Sequence, residues 1–200
     1  MASSRSRIPL MRASVIQGNL SDLRRLPDGL ESQVRAAISK GVIDDVESAT
    51  RIAWLPLEHD LEISDAVERV AGTVRRREWA RTSMLLSMRG PLLEPMWRAA
   101  LRVFGVSPGA LFRVVPTGWA AVYRDVGRVT HEPGTDTAYI TVSELPDVLV
   151  HNEAYLHGIC GTFQALLDAS RVPGTVEMES FDKRRSTVKY KANWSTGGRG

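Results

Sequence analysis

One change of period constrains this chain more than any other feature. From Ser14 to about Val126 the apolar residues recur at helical spacing, and from Gly127 onward two strand-like pairs flank a single helix. A side chain that returns every 3.6 residues stays on one side of a helix, and one that returns every second residue stays on one side of a strand. In "DGLESQVRAAISKG" Leu30, Val34, Ala37 and Ile38 mark an apolar face, with Asp28 the expected cap and Gly41 the stop. In "SDAVERVAG" Ser64 is the expected cap, and Ala66, Val67, Val70 and Ala71 face inward. "PLLEPMWRAALRVFG" opens on Pro91 and closes on Gly105, the usual asymmetry of helix ends. "SPGALFRVVPTGWAAVYRDVG" carries Pro116 and Gly118 inside it, which predicts a broken or kinked helix pair.

Beyond Gly127, "GRVTHE" and "TAYITVSEL" flank the turn signal "PGTD", and "TVEMES" precedes "STVKYKANW". Each pair predicts a β-hairpin. Between them, "DVLVHNEAYLHGICGTFQALLDASRV" reads as one long helix over 148–171, capped by Asp147. Its stripe is Leu149, Leu156, Ile159, Cys160, Phe163, Leu166 and Leu167. Two hairpins joined by an amphipathic helix make a four-stranded antiparallel sheet with that helix over one face. The predicted fold class is α+β: a helical N-terminal half (14–126) packed on a ββαββ part (127–194), together one domain. A flexible basic N-terminus is expected at 1–13 and a flexible tail at 195–200.

Composition removes several function classes. With 43% hydrophobic and 24% charged residues, the chain can bury a sizeable core. Net charge is +3, unevenly placed: residues 1–12 carry three arginines, and residues 171–200 carry seven Lys/Arg against three acids, leaving 13–170 at −4. The single cysteine, Cys160, excludes an internal disulfide framework and a multi-cysteine zinc site. "MASSRSRIPLMRAS" has no apolar run of secretory-signal length, and no stretch reaches the roughly 18 apolar residues of a membrane span. The expected compartment is the cytoplasm.

The order of helices followed by ββαββ resembles the fold shared by H-NOX haem sensors, four-vinyl-reductase sensor domains and TRAPP trafficking subunits. Three segments look more specifically like an uncharacterised paralogous family of myxobacterial proteins. They are "WLPLEHDLEISDAVERVAG" (54–72), "LFRVVPTGWAAVYRDVG" (111–127) and "YLHGICGTFQALLDASRVPGTVEMES" with "VKYKANW" (155–194). The resemblance implies ligand sensing in bacterial signalling without catalysis. It also removes two cofactors. H-NOX proteins hold haem propionates with a Tyr-x-Ser-x-Arg signature, whereas "TAYITVSEL" has Tyr139 and no arginine at that step. Four-vinyl-reductase domains use several C-terminal cysteines for a metal, and this chain has only Cys160. The expected cofactor set is empty.

No residue constellation fixes a reaction. His151 and His157 lie six apart, His59 and His131 are remote, and no Asp/Glu/Cys cluster joins them, so neither a metal nor a catalytic residue is assigned. Gly158 and Gly161 flank Cys160 inside a helix, where glycine is costly. Either another backbone packs closely there or a ligand needs the space. Among the aromatics Trp54, Trp79, Trp97, Trp119, Tyr123, Tyr139 and Tyr155, the expected pocket residues are Trp119, Tyr123, Tyr139 and Tyr155, with Cys160 and Phe163 from the long helix. Ordinary core packing is the competing reading.

Two cationic runs remain. Arg75, Arg76 and Arg77 are expected on a solvated helix face, and Lys183, Arg184 and Arg185 at a hairpin tip; both are candidate partner contacts. The strand lysines Lys189 and Lys191 are expected opposite Glu179 and Glu177, or shifted by two residues. The function expected is a non-enzymatic regulatory, sensor or scaffold module that binds a small apolar ligand, a protein partner, or both, with homodimerisation through helices. The alternative is a nucleic-acid-binding regulator that uses the basic ends and the hairpin tip.

Overall fold

The fold comes from a computed structural model that describes residues 8–27 and 29–195; the expected Asp28 cap lies outside them, as do 1–7 and 196–200. Short strands come first. β1 (Leu10–Arg12) lies inside the segment expected to be a flexible terminus, which corrects that expectation for these residues. It is the middle strand of a small sheet, flanked by β2 (Trp54–Pro56) and β3 (Tyr123–Arg124). Arg12 pairs in register with Trp54, and the guanidinium carbons of Arg12 and Arg124 lie 3.7 and 4.5 Å from the Trp54 ring. Trp54 thus has two cations against its ring and is not among the residues that line the cavity described below.

The N-terminal helices are α1 (Ala13–Asp22), a 3-10 turn (Leu23–Arg25), α2 (Leu30–Ala36) and α3 (Lys40–Ser48). α1 and α2 pack on α4 (Leu57–Ser87), which spans both "SDAVERVAG" and "TVRRREWARTSMLLS", and α3 packs on α1. Gly72 kinks this helix, with φ 84° and ψ 165°. That conformation suits glycine, which lacks the Cβ that makes positive φ costly. Ser64, expected to cap a helix, is buried inside α4.

Helices α5 (Glu94–Phe104), α6 (Pro108–Arg113) and α7 (Val115–Val122) follow. The break between α6 and α7 falls at Val114, which puts Pro116 in the first turn of α7, where its missing N–H costs no intrahelical bond.

The C-terminal part is the expected ββαββ unit. β4 (Arg128–Pro133), β5 (Thr137–Ser143), β6 (Gly174–Asp182) and β7 (Thr187–Trp194) form an antiparallel sheet in the order β4-β5-β7-β6. Burial alternates strictly along β7, with Val188, Tyr190, Ala192 and Trp194 inward. Glu177 stands opposite Lys191, and a bulge between Met178 and Ser180 leaves Glu179 to reach Lys189 at 3.3 Å.

The long helix is shorter than expected and in two pieces. α8 (Asp147–Val150) ends at His151, and α9 (Glu153–Ser170) starts afresh. Asn152 caps the new start, its Oδ1 accepting from the Tyr155 amide at 2.8 Å. α9 lies against the sheet on one side and α4 on the other. On the sheet side, Tyr190 donates to the Leu156 carbonyl at 3.0 Å and its ring meets Phe163 edge-on at 5.2 Å.

The helical glycines are explained by α4. A Cβ on Gly161 would run into the backbone carbonyl of Arg77, and one on Gly158 would sit 2.6 Å from Arg76 Nη2. Close packing of another backbone holds at Gly161, whereas Gly158 makes room for the Arg76 guanidinium and also lines the cavity described below. Among the described residues, no helix is long and apolar enough to cross a membrane.

Candidate functional site

Where the kinked α4, α9, α7 and the Trp97 turn of α5 converge, they enclose a cavity of about 120 Å³. Trp79, Trp97, Trp119, Tyr123, Tyr155 and Phe163 supply aromatic walls, and Met11, Met84 and Met96 supply thioethers. The rings of Trp119 and Tyr123 meet at 4.3 Å. Each indole is buried, and among the described residues the Nε1 donors of Trp79, Trp97 and Trp119 have no hydrogen-bond partner.

One wall is polar and buried. Asp60 accepts from Asn19 Nδ2 at 2.7 Å through Oδ1 and from the Tyr155 hydroxyl at 2.7 Å through Oδ2. The Tyr123 hydroxyl lies 3.4 Å from that of Tyr155, extending the chain of polar groups towards α7. Burial raises the Asp60 carboxyl above the usual carboxylate range, against the pull of Asn19, Tyr155 and Arg76. Burial, and then the nearness of Asp60, pushes both tyrosines above their ordinary range, so both are neutral phenols at neutral pH.

Arg76 closes this wall. It is 2% exposed. Its Nε donates to Ser64 Oγ at 2.8 Å, its Nη1 donates to the Ala154 carbonyl, and Glu68 lies 3.3 Å from Nη1. Ser64 and Arg76 are 12 residues apart, about 18 Å along a straight helix, beyond the reach of an arginine. The kink at Gly72 brings them together. Arg76 therefore ties the two halves of α4 to the first turn of α9.

The expected site residues divide. Trp119, Tyr123, Tyr155 and Phe163 line the cavity. Tyr139 does not: it lies on the sheet's outer face, under Lys189 Nζ at 4.1 Å. Cys160 is buried but faces β6, where its thiol meets the Met178 backbone, and burial raises it above its ordinary range. It is neither a lining residue nor an activated nucleophile.

Of the expected partner contacts, Arg76 is corrected outright, since it is core. Arg77 is exposed in part but donates to the Val176 carbonyl of β6. At the tip, Lys183 reaches Glu153 at 3.4 Å and Arg185 reaches Asp182 at 3.7 Å. Arg75 and Arg184 are exposed.

Asp60, Asn19 and Arg76 were missed. In the sequence Asp60 stands beside Glu58 and His59 as one of a run of polar residues. Its spacing held the signal: Asp60 and Ser64 share a face with Leu57 and Leu61, and Arg76 shares one with Trp79 and Ser83. A polar residue inside an apolar stripe marks a buried polar group that must find a partner.

The backbone path is similar to that of solved H-NOX structures. An Fe(II) unliganded H-NOX protein from K. algicida superposes with a TM-score of 0.64 at 10% identity, covering 95% of this chain and 100% of that one. An oxygen-binding H-NOX domain related to soluble guanylate cyclases gives 0.62 at 13%, covering 93% and 96%. A structure solved to probe heme distortion in the H-NOX family gives the same values. This chain has the H-NOX fold. The sequence matches no protein-family model and no curated protein.

Haem, which that fold family implies, does not fit the residues present here. Among the described residues, the cavity lining holds no histidine and no cysteine. Tyr155 is committed to Asp60 and held neutral, so it offers no phenolate to an iron. A space of about 120 Å³ is below the roughly 300 Å³ at which drug-sized sites begin. Among the described residues, no three His, Cys, Asp or Glu side chains come together as a metal site.

Proposed function

We propose that this protein is a non-enzymatic regulatory module whose cavity holds a small apolar ligand and whose surface reports the occupied state to a protein partner. The observation that carries the reading is an aromatic and thioether-lined cavity between α4, α7 and α9, with one buried polar wall. A few convergent polar groups in an otherwise apolar cavity are the usual make-up of a binding site.

The mechanism is a shift of packing. α4 and α9 are the longest helices and touch through glycines, so neither has slack where they meet. An occupant pressed between them and α7 stabilises whichever arrangement leaves it room, and the equilibrium moves by its differential affinity for the two states. Arg76 carries that change across the kink to the first turn of α9. The exposed cations Arg75 and Arg184 are the partner-facing residues in this proposal, and a second copy of the chain is one such partner.

One observation favours chemistry instead: Asp60 is a buried carboxyl with a raised pKa beside an apolar space. Both its oxygens are already engaged, by Asn19 and Tyr155. Its role in this reading is to orient Tyr155.

Thermal melts of the protein against a panel of small apolar compounds test the proposal. At least one compound raises Tm in proportion to the logarithm of its concentration. If no compound shifts the melt, and mass spectrometry of the purified protein finds no bound small molecule, the proposal fails.

A further inference from the structure

We infer that the occupant is an uncharged single-ring aromatic compound bearing one oxygen acceptor, of the phenol or aryl ketone class. This rests on the reading above, that the cavity binds an apolar ligand. Four observations narrow the class.

The first is size. The cavity measures about 120 Å³. An engineered dry cavity of about 150 Å³ holds benzene, so the space here suits one ring and not a fused system or a lipid chain.

The second is the wall. Trp119, Phe163, Met84 and Met96 offer ring faces, ring edges and thioethers, surfaces that favour an aromatic guest in offset or edge-on contact.

The third is the set of orphan donors. Trp79, Trp97 and Trp119 are each more than nine-tenths buried, and each has an indole N–H without a partner among the described residues. An indole N–H can only donate. Buried donors are nearly always paired; all three sit on residues of this cavity's wall with no accessible surface at Nε1, so a guest acceptor pairs one of them once that indole turns towards it.

The fourth is charge. Arg76 is matched by Glu68, and both Asp60 oxygens are occupied. An aryl carboxylate would bring a second anion beside Asp60 without a cation of its own. An aryl ammonium would have to share the Asp60 oxygens that Asn19 and Tyr155 already engage. A neutral guest leaves the polar wall intact.

Tryptophan emission and thermal melts, read during titration with phenol, acetophenone, benzene, hexanol, benzoate and benzylamine, test the inference. Phenol or acetophenone is expected to bind about tenfold more tightly than benzene, the effect of one buried hydrogen bond gained. Benzoate and benzylamine are expected to leave the melt unchanged at concentrations that saturate acetophenone. Phenylalanine in place of each indole keeps the ring and deletes the donor. Of Trp79→Phe, Trp97→Phe and Trp119→Phe, at least one should lose about tenfold in acetophenone affinity and retain its benzene affinity.

Benzene binding as tightly as acetophenone in the unaltered protein overturns the assignment of an acceptor. Hexanol binding in the absence of any ring compound overturns the ring class and leaves the cavity reading standing. Failure of every probe overturns both.

Discussion

Replacing Gly161 by alanine tests whether α4 and α9 meet backbone to backbone. In a solvated helix the change is favourable by about 1 kcal/mol, because glycine pays the larger conformational entropy. At Gly161 the new methyl group would collide with the Arg77 carbonyl, which is backbone and cannot rotate away. Overpacking of a close-packed core costs about 1–3 kcal/mol, and an immovable obstacle places this site at the upper end. The net expectation is a loss of about 2 kcal/mol. For a chain of 200 residues that lowers Tm by about 4–8 °C. Gly41→Ala is the matched control. Gly41 is exposed in α3, and an added Cβ there meets nothing within 4 Å. That variant should be neutral or gain up to about 1 kcal/mol. Circular dichroism melts and urea titrations of the two variants read the difference. A Gly161→Ala protein that melts at or above the unsubstituted one would refute the packing described here, and with it the reason α9 carries Gly161.

Three further outcomes follow from the site. Asp60 binds its proton more tightly folded than unfolded, so stability falls as pH rises from the ordinary carboxyl value of 3.8 through the raised folded value. Asp60→Asn keeps an acceptor for Tyr155 and removes that titration, so this fall across pH 4–8 should shrink; Asp22, raised by burial, and His131, lowered by burial and of opposite slope, set what remains. Asn152→Ala removes the side-chain cap of α9 and should cost about 1 kcal/mol in urea titrations, whereas no loss would place the helix start elsewhere. Haemin added to the purified protein should give no Soret band shift of the kind that axial ligation produces, and a sharp saturating one would contradict the lack of fit.

Much of this architecture was legible because it depends on period. The alternation of Val188, Tyr190, Ala192 and Trp194 and the turn at "PGTD" placed both hairpins, and the acids of β6 were correctly set against the lysines of β7. The small sheet was not legible. β1 and β2 span three residues each and β3 spans two, too few to show alternation. The course of α4 was hidden by Gly72, since a glycine that ends a helix and one that kinks it look alike in sequence. Asn152 was read as interior to one long helix because the two-residue gap after α8 leaves the apolar stripe nearly in phase.

At the site, the aromatics were half legible. Trp119, Tyr123 and Tyr155 line the cavity, and Tyr139 sits one position out of phase, on the wet face of β5. Arg76 was the deepest misreading. Three consecutive arginines look like a solvated run, yet the middle one is core while Arg75 is exposed and Arg77 reaches across to β6, because adjacent residues on a helix diverge by about 100°. Where charges alone were weighed, the buried one could not be told from the exposed ones. The apolar stripe through Trp79 and Ser83 was the signal that distinguished it.

Crystals of the protein pressurised with xenon report on the cavity most directly, since xenon enters dry apolar spaces and scatters strongly. Xenon density is expected between Trp119 on α7 and Ile159 on α9, bounded by Met84 and Met96. A core in which those side chains close over the space, and no xenon binds between α4 and α9, would contradict the existence of a ligand site in this fold.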